Sequence, residues 1–370
     1  MKIEFSQKNY RNIFKHPLMG VNFPVWCQIL WRNRFQISPV FIPKALSITF
    51  VSLFNSPLHL IEYIVYSRRI KKQKVKEPIF ILGHPRSGTT HLHYLMSKDT
   101  SKAFCTLYQG LLPHSFLVGG DVMRKMISKS IPATRPQDEV KISIDSPKEE
   151  EFAIATMTGV SYLLTFYFPN SVMKHFKESV LFENQKKKKI WQKNFKYFIQ
   201  KLSFAHQGKQ LILKSPANTG RIKEILEVFP DAKFVHIHRD PIEVYQSTVK
   251  LYEKVVQETS FQKVSEDQVK SIEKYIIESY RLMYEKFEKE KELIPEQRLT
   301  TVAYSDLLKD PMNELSKVYR ELNLTSFKES KSNFENELIQ TKGYNKNTYS
   351  KLSADKIDEL RRDWKNLNRF

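Results

Sequence analysis

Cysteine is nearly absent from this chain of 370 residues, in which only Cys27 and Cys105 occur. Two thiols cannot staple a chain of this length, and neither stands in a CxxC pair or beside a ligand-spaced histidine. A disulfide framework and a structural metal site are therefore not expected, and a reducing compartment is. No basic-then-apolar leader opens the sequence; Lys8, Asn9, Tyr10 and Arg11 break the first apolar run, so secretion is not indicated. No linker is rich enough in glycine and serine to divide the chain, and no internal repeat is evident. The uncharged run in the amino-terminal part also falls short of the about 20 residues needed to cross a bilayer. Ala45 to Ile61 is uncharged but holds 17 residues and is cut by Asn55-Ser56-Pro57. It is expected as two helices, about 40–55 and 57–70, with Ser56 as N-cap and Pro57 at the first helical position. A buried core hairpin, an in-plane membrane element and a true span all stay open for it. Arg68, Arg69, Lys71, Lys72 and Lys74, which follow, suit an anionic headgroup surface.

Positive charge is what the chain has in excess. Its 60 Lys and Arg against 40 Asp and Glu leave a net +20, a field that favours a nucleotide, a nucleic acid or an anionic membrane. Lys186 to Lys189 reads as a solvated helix face. The basic residues are scattered, and no zinc, RNA-recognition or helix-turn-helix signature accompanies them, so a nucleic-acid partner is not expected. With 41% hydrophobic and 12% aromatic residues the chain can bury a large core.

The strand signals are apolar runs without alternation, as strands buried on both faces require. They lie at Pro78 to Leu82, Leu211 to Leu213 and Phe234 to Ile237, with weaker ones at Phe104 to Tyr108 and Leu299 to Tyr304. Helical periodicity fills Thr90 to Met96, Gly220 to Val228, Ile242 to Tyr252 and Asp267 to Phe287. Strand and helix in alternation predict a three-layer α/β sandwich around a central, mostly parallel sheet. We expect a helical amino-terminal lead-in over 1–75 and a main domain over 76–370. A helical insertion, about 110–210, should cap the carboxyl edge of the sheet, where ligands of such sheets bind.

The first strand runs into Gly83-His84-Pro85-Arg86-Ser87-Gly88-Thr89-Thr90. Its Gly-x4-Gly-Thr-Thr skeleton lets successive N–H groups and the next helix's amino terminus face an anion. Thr89 stands where a nucleoside triphosphatase carries Lys, which argues against a nucleotide kinase; Arg86 can supply the charge instead. Far along the chain, Arg239 ends a strand and Ser247 follows it on a helix, a fork and a hydroxyl that can grip a dianionic phosphate.

Pro85 to Thr90 resembles the 5′-phosphosulfate loop of the PAPS-dependent sulfotransferases (PAPS, 3′-phosphoadenosine 5′-phosphosulfate), and Phe234 to Pro241 with Ser247 resembles that family's 3′-phosphate motif. Gln109 to Phe116, Arg135-Pro136-Gln137-Asp138, Pro147 to Phe152, Leu213-Lys214-Ser215-Pro216 and Tyr304 to Leu307 extend the likeness, particularly to a bacterial branch acting on small or lipid-like hydroxyls. The resemblance implies a P-loop-like fold and transfer of a sulfuryl group from PAPS to a hydroxyl without a metal. It places Arg86, Ser87, Gly88, Thr89 and Thr90 around the 5′ side of the donor, and Arg239 and Ser247 at the 3′-phosphate. Lys214 could stabilise charge on the leaving phosphate. As proton acceptor His114 is favoured, with Glu150 as rival. His91 and His93 read as packing residues. Asn218 departs from the His that many relatives carry there, so a base at that position is in doubt. The acceptor is expected to be a small apolar alcohol, a sterol or lipid, walled by the lead-in and Tyr162 to Phe168. The expected location is cytoplasmic, with peripheral membrane contact through 40–74. The competing readings are a nucleotide kinase and a basic nucleic-acid- or membrane-binding protein.

Overall fold

The computed structural model describes residues 15–129, 142–340 and 352–364, with Ile13 and Ile131. The Arg135 to Asp138 element lies outside them. Five strands, β1 (Ile79–Leu82), β2 (Lys102–Phe104), β3 (Gln210–Lys214), β4 (Lys233–His238) and β5 (Leu299–Ala303), form one sheet in the order β2-β3-β1-β4-β5. Every pairing is parallel; Ile79 sits between Ile212 of β3 and Lys233 of β4. All five carboxyl ends therefore share one edge, and the loop after β1 emerges between the ends of β3 and β4.

Alternate residues of a strand face opposite sides. Ile79 and Ile81 pack with Leu92, Val235 and Val302, whereas Phe80 and Leu82 belong to the other layer with Trp26, Ile29 and Ile48 of the lead-in. Lead-in and sheet thus share a core. The three layers and parallel sheet are those expected of the sequence.

Two local expectations are corrected. The lead-in is not two helices after α1 (Phe23–Arg32) but one, α2 (Ile42–Lys72), with Pro57 inside it. Proline in a helix interior costs about 3 kcal/mol. Side chains of the same turns compensate. Asn55 Nδ2 donates to the carbonyls of Met19 (2.7 Å) and Val21 (3.1 Å), and Ser56 Oγ accepts the N–H of Phe23 (2.9 Å) while donating to the Ser52 carbonyl (2.8 Å). Ser56 thus anchors the helix interior to the first N–H of α1 and does not start a helix of its own. The second correction concerns Phe104 to Tyr108. β2 stops at Phe104, because Thr106 starts α4 (Leu107–Leu111) by a reciprocal cap: its Oγ accepts from Gln109 N, and Gln109 Oε1 accepts from Thr106 N.

Between β2 and β3 the described chain is helical. α5 (Gly120–Ser128) and α6 (Glu151–Thr158) precede a long helix, Gln185–Ala205.

Candidate active site

Loop conformation around residues 83–88 leaves little choice of residue. α3 (Thr89–Met96) begins directly after Gly88, at φ 99°, and a Cβ there would lie 2.3 Å from the Tyr304 ring. At Gly83, φ 148°, it would lie 2.5 Å from the Ile237 carbonyl. Arg86 is non-glycine at φ 74°, a conformation costing on the order of 1–3 kcal/mol and concentrated at functional sites. Ser87 is fully buried and turns inward, donating from Oγ to the His84 carbonyl at 2.8 Å, and Gly83 N donates to Thr219 Oγ1 at 2.7 Å. No acidic residue occupies the first turn of α3, so nothing on the helix itself competes with an incoming anion for its amino-terminal N–H groups.

Because β1 and β4 are neighbours, the loop meets the chain that follows β4. Arg86 Nε donates to Ser247 Oγ at 2.8 Å, and Arg239 Nη1 lies 3.4 Å from the Arg86 carbonyl. Arg239 also pairs with Glu243 at 2.5 Å and stacks its guanidinium 5.1 Å from the centre of the Tyr304 ring. Asp240 caps the helix Pro241–Thr259 by accepting from Glu243 N, which fixes the helix start between Arg239 and Ser247.

On the other side of β1, Lys214 ends β3 and reaches across to the loop. Its Nζ is 3.3 Å from Thr90 Oγ1 and 2.5 Å from Glu149 Oε1. The acidic triplet approaches because an isolated bridge between Thr106 and Pro147 pins its segment beside the end of β2. Its members then separate in surroundings. Glu149 meets Lys214 and accepts from the Tyr162 hydroxyl at 3.3 Å. Glu150 is buried; Oε2 accepts from Lys214 N at 3.1 Å and Oε1 from Asn218 Nδ2 at 2.6 Å. Burial pushes its carboxyl up from 4.5 to about 7; the Asn218 hydrogen bond opposes the shift and the neighbouring Glu151 and Glu149 reinforce it. Glu151 forms a fully buried two-pronged pair with Arg221 at 2.6 and 3.0 Å.

Eight of the expected site residues therefore gather at one sheet edge: Arg86, Gly88, Thr89 and Thr90 from the loop and α3, Arg239 and Ser247 beyond β4, and Lys214 and Glu150 beside β3. Ser87 belongs to the same loop but is turned into its wall. His114 stands elsewhere. Its Nε2 meets the Thr156 carbonyl at 3.3 Å and its ring packs on His59 of α2, 4.4 Å between centres. Thr156 lies six residues along α6 from Glu150, about 9 Å of helical rise. Burial also lowers the imidazole to about 3, leaving it a weak proton acceptor. Both features weigh against His114 as the base and favour its rival, Glu150, which stands at the sheet edge. His93 is buried, its pKa likewise pushed down to about 3 by burial, and packs edge-on against Phe104.

Sequence reasoning missed Tyr304 and Thr219 as parts of the loop's frame and Glu149 as the partner of Lys214. Tyr304 carried a signal, since it closes the fifth strand run and opens the Tyr304 to Leu307 element; Thr219 carried none.

The sulfotransferase family profile matches residues 78–329, which include every residue gathered at this edge. Over 316 residues the chain is 34% identical to omega-hydroxy-beta-dihydromenaquinone-9 sulfotransferase Stf3 of Mycobacterium bovis, covering 84% of this chain and 79% of the relative. The Mycobacterium tuberculosis protein of the same name matches equally. Among solved structures, sulfotransferase STF9 from Mycobacterium avium superposes with a TM-score of 0.70 at 18% identity, covering 99% and 92% of the two chains. Sulfotransferase STF1 from M. tuberculosis gives 0.63 at 14% identity, covering 96% and 94%. The two structures agree in fold. The profile and the mycobacterial relatives, together with a nucleotide-type loop that lacks the kinase lysine, show that this chain is an enzyme belonging to the sulfotransferase family.

Proposed function

We propose that the chain transfers a sulfuryl group from PAPS to the hydroxyl of a lipid-like alcohol, leaving a sulfate ester and adenosine 3′,5′-bisphosphate. The observation that carries this reading is the meeting of Arg86, Ser247 and Arg239 on one side of β1 with Lys214 on the other. A donor with a phosphate at one end and a phosphosulfate at the other needs two cationic grips set apart along one sheet edge. The left-handed Arg86 and the glycines whose Cβ atoms would collide fit a backbone shaped around an oxyanion.

In this reading Arg86, expected on the 5′ side but drawn by its Ser247 contact towards the other phosphate, joins Arg239 and Ser247 at the 3′-phosphate, while the loop N–H groups, Thr89 and Thr90 hold the 5′ side. Lys214 stabilises negative charge on the bridging oxygen as the S–O bond to the phosphate breaks. Glu150 takes the acceptor's proton as the new S–O bond forms, and a carboxyl near 7 is suited to that transfer at neutral pH. Asn218, an amide that cannot take the proton, orients Glu150 instead. Glu149 holds Lys214 in position. No step in this scheme requires a metal.

The mycobacterial relatives named for a hydroxylated dihydromenaquinone support an acceptor with a long apolar body and a hydroxyl on it. The aromatic segment Tyr162 to Phe168 borders the site through the Tyr162–Glu149 contact and offers an apolar wall. The scarcity of cysteine supports a cytoplasmic location. Incubation with isotopically labelled PAPS, without added metal, against prenyl alcohols, sterols, phenols and sugars tests the reading by mass spectrometry. Labelled esters of the apolar alcohols are expected, and transfer confined to sugars would overturn the acceptor assignment.

A further inference from the structure

α2 is inverted in polarity. A helix on a water-soluble body buries its apolar stripe and shows water its polar one. Here the inward side chains include Lys44, Ser52, Asn55 and Glu62, all buried, while the outward ones include Leu46, Phe50, Leu53, Ile61 and Ile64. Phe50 is 61% exposed and Ile64 69%. Ten of the sixteen large hydrophobic side chains exposed among the described residues lie on this one helix. They recur at three- and four-residue steps from Ile42 to Phe54 and from Leu60 to Val65, and the exposed Pro57 bridges the two runs.

The inward polar groups are fastened along the helix. Lys44 donates to the carbonyls of Glu258 and Ser260, Asn55 to Met19 and Val21, and Glu62 pairs with Lys201 while accepting the N–H groups of Leu117 and Val118. At the far end Gln200 Nε2 donates to the Lys71 carbonyl at 3.1 Å. With 31 residues and an apolar composition the helix is long enough to cross a bilayer, but it is held to the enzyme from one end to the other. It can meet a membrane only side-on. Where the apolar stripe ends, Arg68, Arg69, Lys71 and Lys72 follow, all exposed, at the place where anionic headgroups would meet an in-plane helix.

We propose that the outer face of α2 docks on the surface of an anionic lipid bilayer, its apolar stripe sunk among acyl chains and its basic end among headgroups. The enzyme then works as a monotopic membrane protein and takes its acceptor from the lipid phase. Polarity reversal and charge complementarity carry the docking, and neither depends on the donor or acceptor proposed above; uptake of the acceptor from the lipid phase rests on that reading.

Flotation of the full-length protein with phosphatidylcholine–phosphatidylglycerol vesicles, without PAPS or acceptor, is the test, with sedimentation velocity in the absence of lipid alongside. The wild type is expected to float with mixed vesicles and to lose binding in high salt or with phosphatidylcholine alone. Combining Phe50→Asp with Ile64→Asp should cut the bound fraction about tenfold or more, with the circular dichroism of the folded protein kept. Glu replacements of Arg68 and Arg69 should cut it about fivefold per charge removed. Vesicle binding unchanged in these variants overturns the proposal. So does a lipid-free dimer that Phe50→Asp and Ile64→Asp dissolve, since the stripe would then be covered by a second copy. Because the assay contains no substrate, its failure leaves the transfer reaction to be judged separately.

Discussion

Arg86 Nε and Ser247 Oγ, 161 residues apart in sequence, meet at 2.8 Å. The contact joins the loop after β1 to the helix that follows β4, and Arg239 Nη1 reaches the same residue at its backbone carbonyl. An Arg held by a hydroxyl, with a second Arg adjacent, is poised for a doubly charged phosphate, because both guanidinium forks are orientated before it arrives.

Replacing Arg86 with Ala should weaken binding of adenosine 3′,5′-bisphosphate by roughly 10- to 100-fold, from about 1.5–3 kcal/mol per charge-assisted hydrogen bond. Ser247→Ala should cost about fivefold. The double variant should fall short of the product of the two, since the residues share one contact. Isothermal titration calorimetry on the four proteins measures all three quantities.

Glu150 gives a pH signature with opposite signs for activity and stability. The base works ionised, so kcat should climb as pH rises through about 7. Burial raises the folded-state pKa above its ordinary 4.5, so the folded protein binds this proton more tightly than the unfolded chain does. The stability it contributes is therefore complete below about 4.5 and lost as pH climbs towards 7. Glu150→Gln should lower kcat by roughly 10²- to 10⁴-fold. At about pH 8 it should be more stable than wild type, by as much as about 3 kcal/mol. Thermal unfolding at about pH 5 and pH 8, with a kcat–pH profile, checks both arms. A larger loss of kcat in Glu149→Gln would move the base one residue back.

Glu151 should matter to the fold instead. Its carboxylate is locked to Arg221, which also donates from Nε to the Ser179 carbonyl. Arg221→Met leaves a buried carboxylate without its cation and should cost about 3–5 kcal/mol, seen as a fall in Tm. Two adjacent glutamates would thus lose activity for different reasons, one while folded and one through unfolding.

His114→Ala should change kcat by only a few-fold, since the imidazole bonds to the Thr156 carbonyl and packs on His59. Steady-state kinetics beside Glu150→Gln settles the comparison. A loss as large as that of Glu150→Gln would restore His114 as the proton acceptor.

Most of the sheet was legible because buried parallel strands write themselves as uninterrupted apolar runs, and Ile79–Leu82 ends on glycine. The loop was legible because its backbone needs glycine at positions 83 and 88. Long-range partners were harder. Lys214 was visible as a cation at a strand end, but its partner Glu149 was hidden in a triplet of identical side chains whose burial differs only after folding. The single helix α2 was misread because Pro57 and Ser56 carry a strong local start signal, which side-chain bonds to Met19, Val21 and Phe23 override. His114 was favoured in part for its intrinsic pKa, which says nothing of where a loop sets the ring.

The most direct test of the central claim is a single-turnover transfer experiment with labelled PAPS and a long-chain apolar alcohol, run metal-free on wild type, Arg86→Ala, Lys214→Ala and Glu150→Gln. The account predicts a labelled sulfate ester from wild type, ester regained at high PAPS in Arg86→Ala, and a slow rate that excess PAPS does not rescue in the other two. No ester from wild type at any PAPS concentration, or undiminished rates in Lys214→Ala and Glu150→Gln, would contradict it.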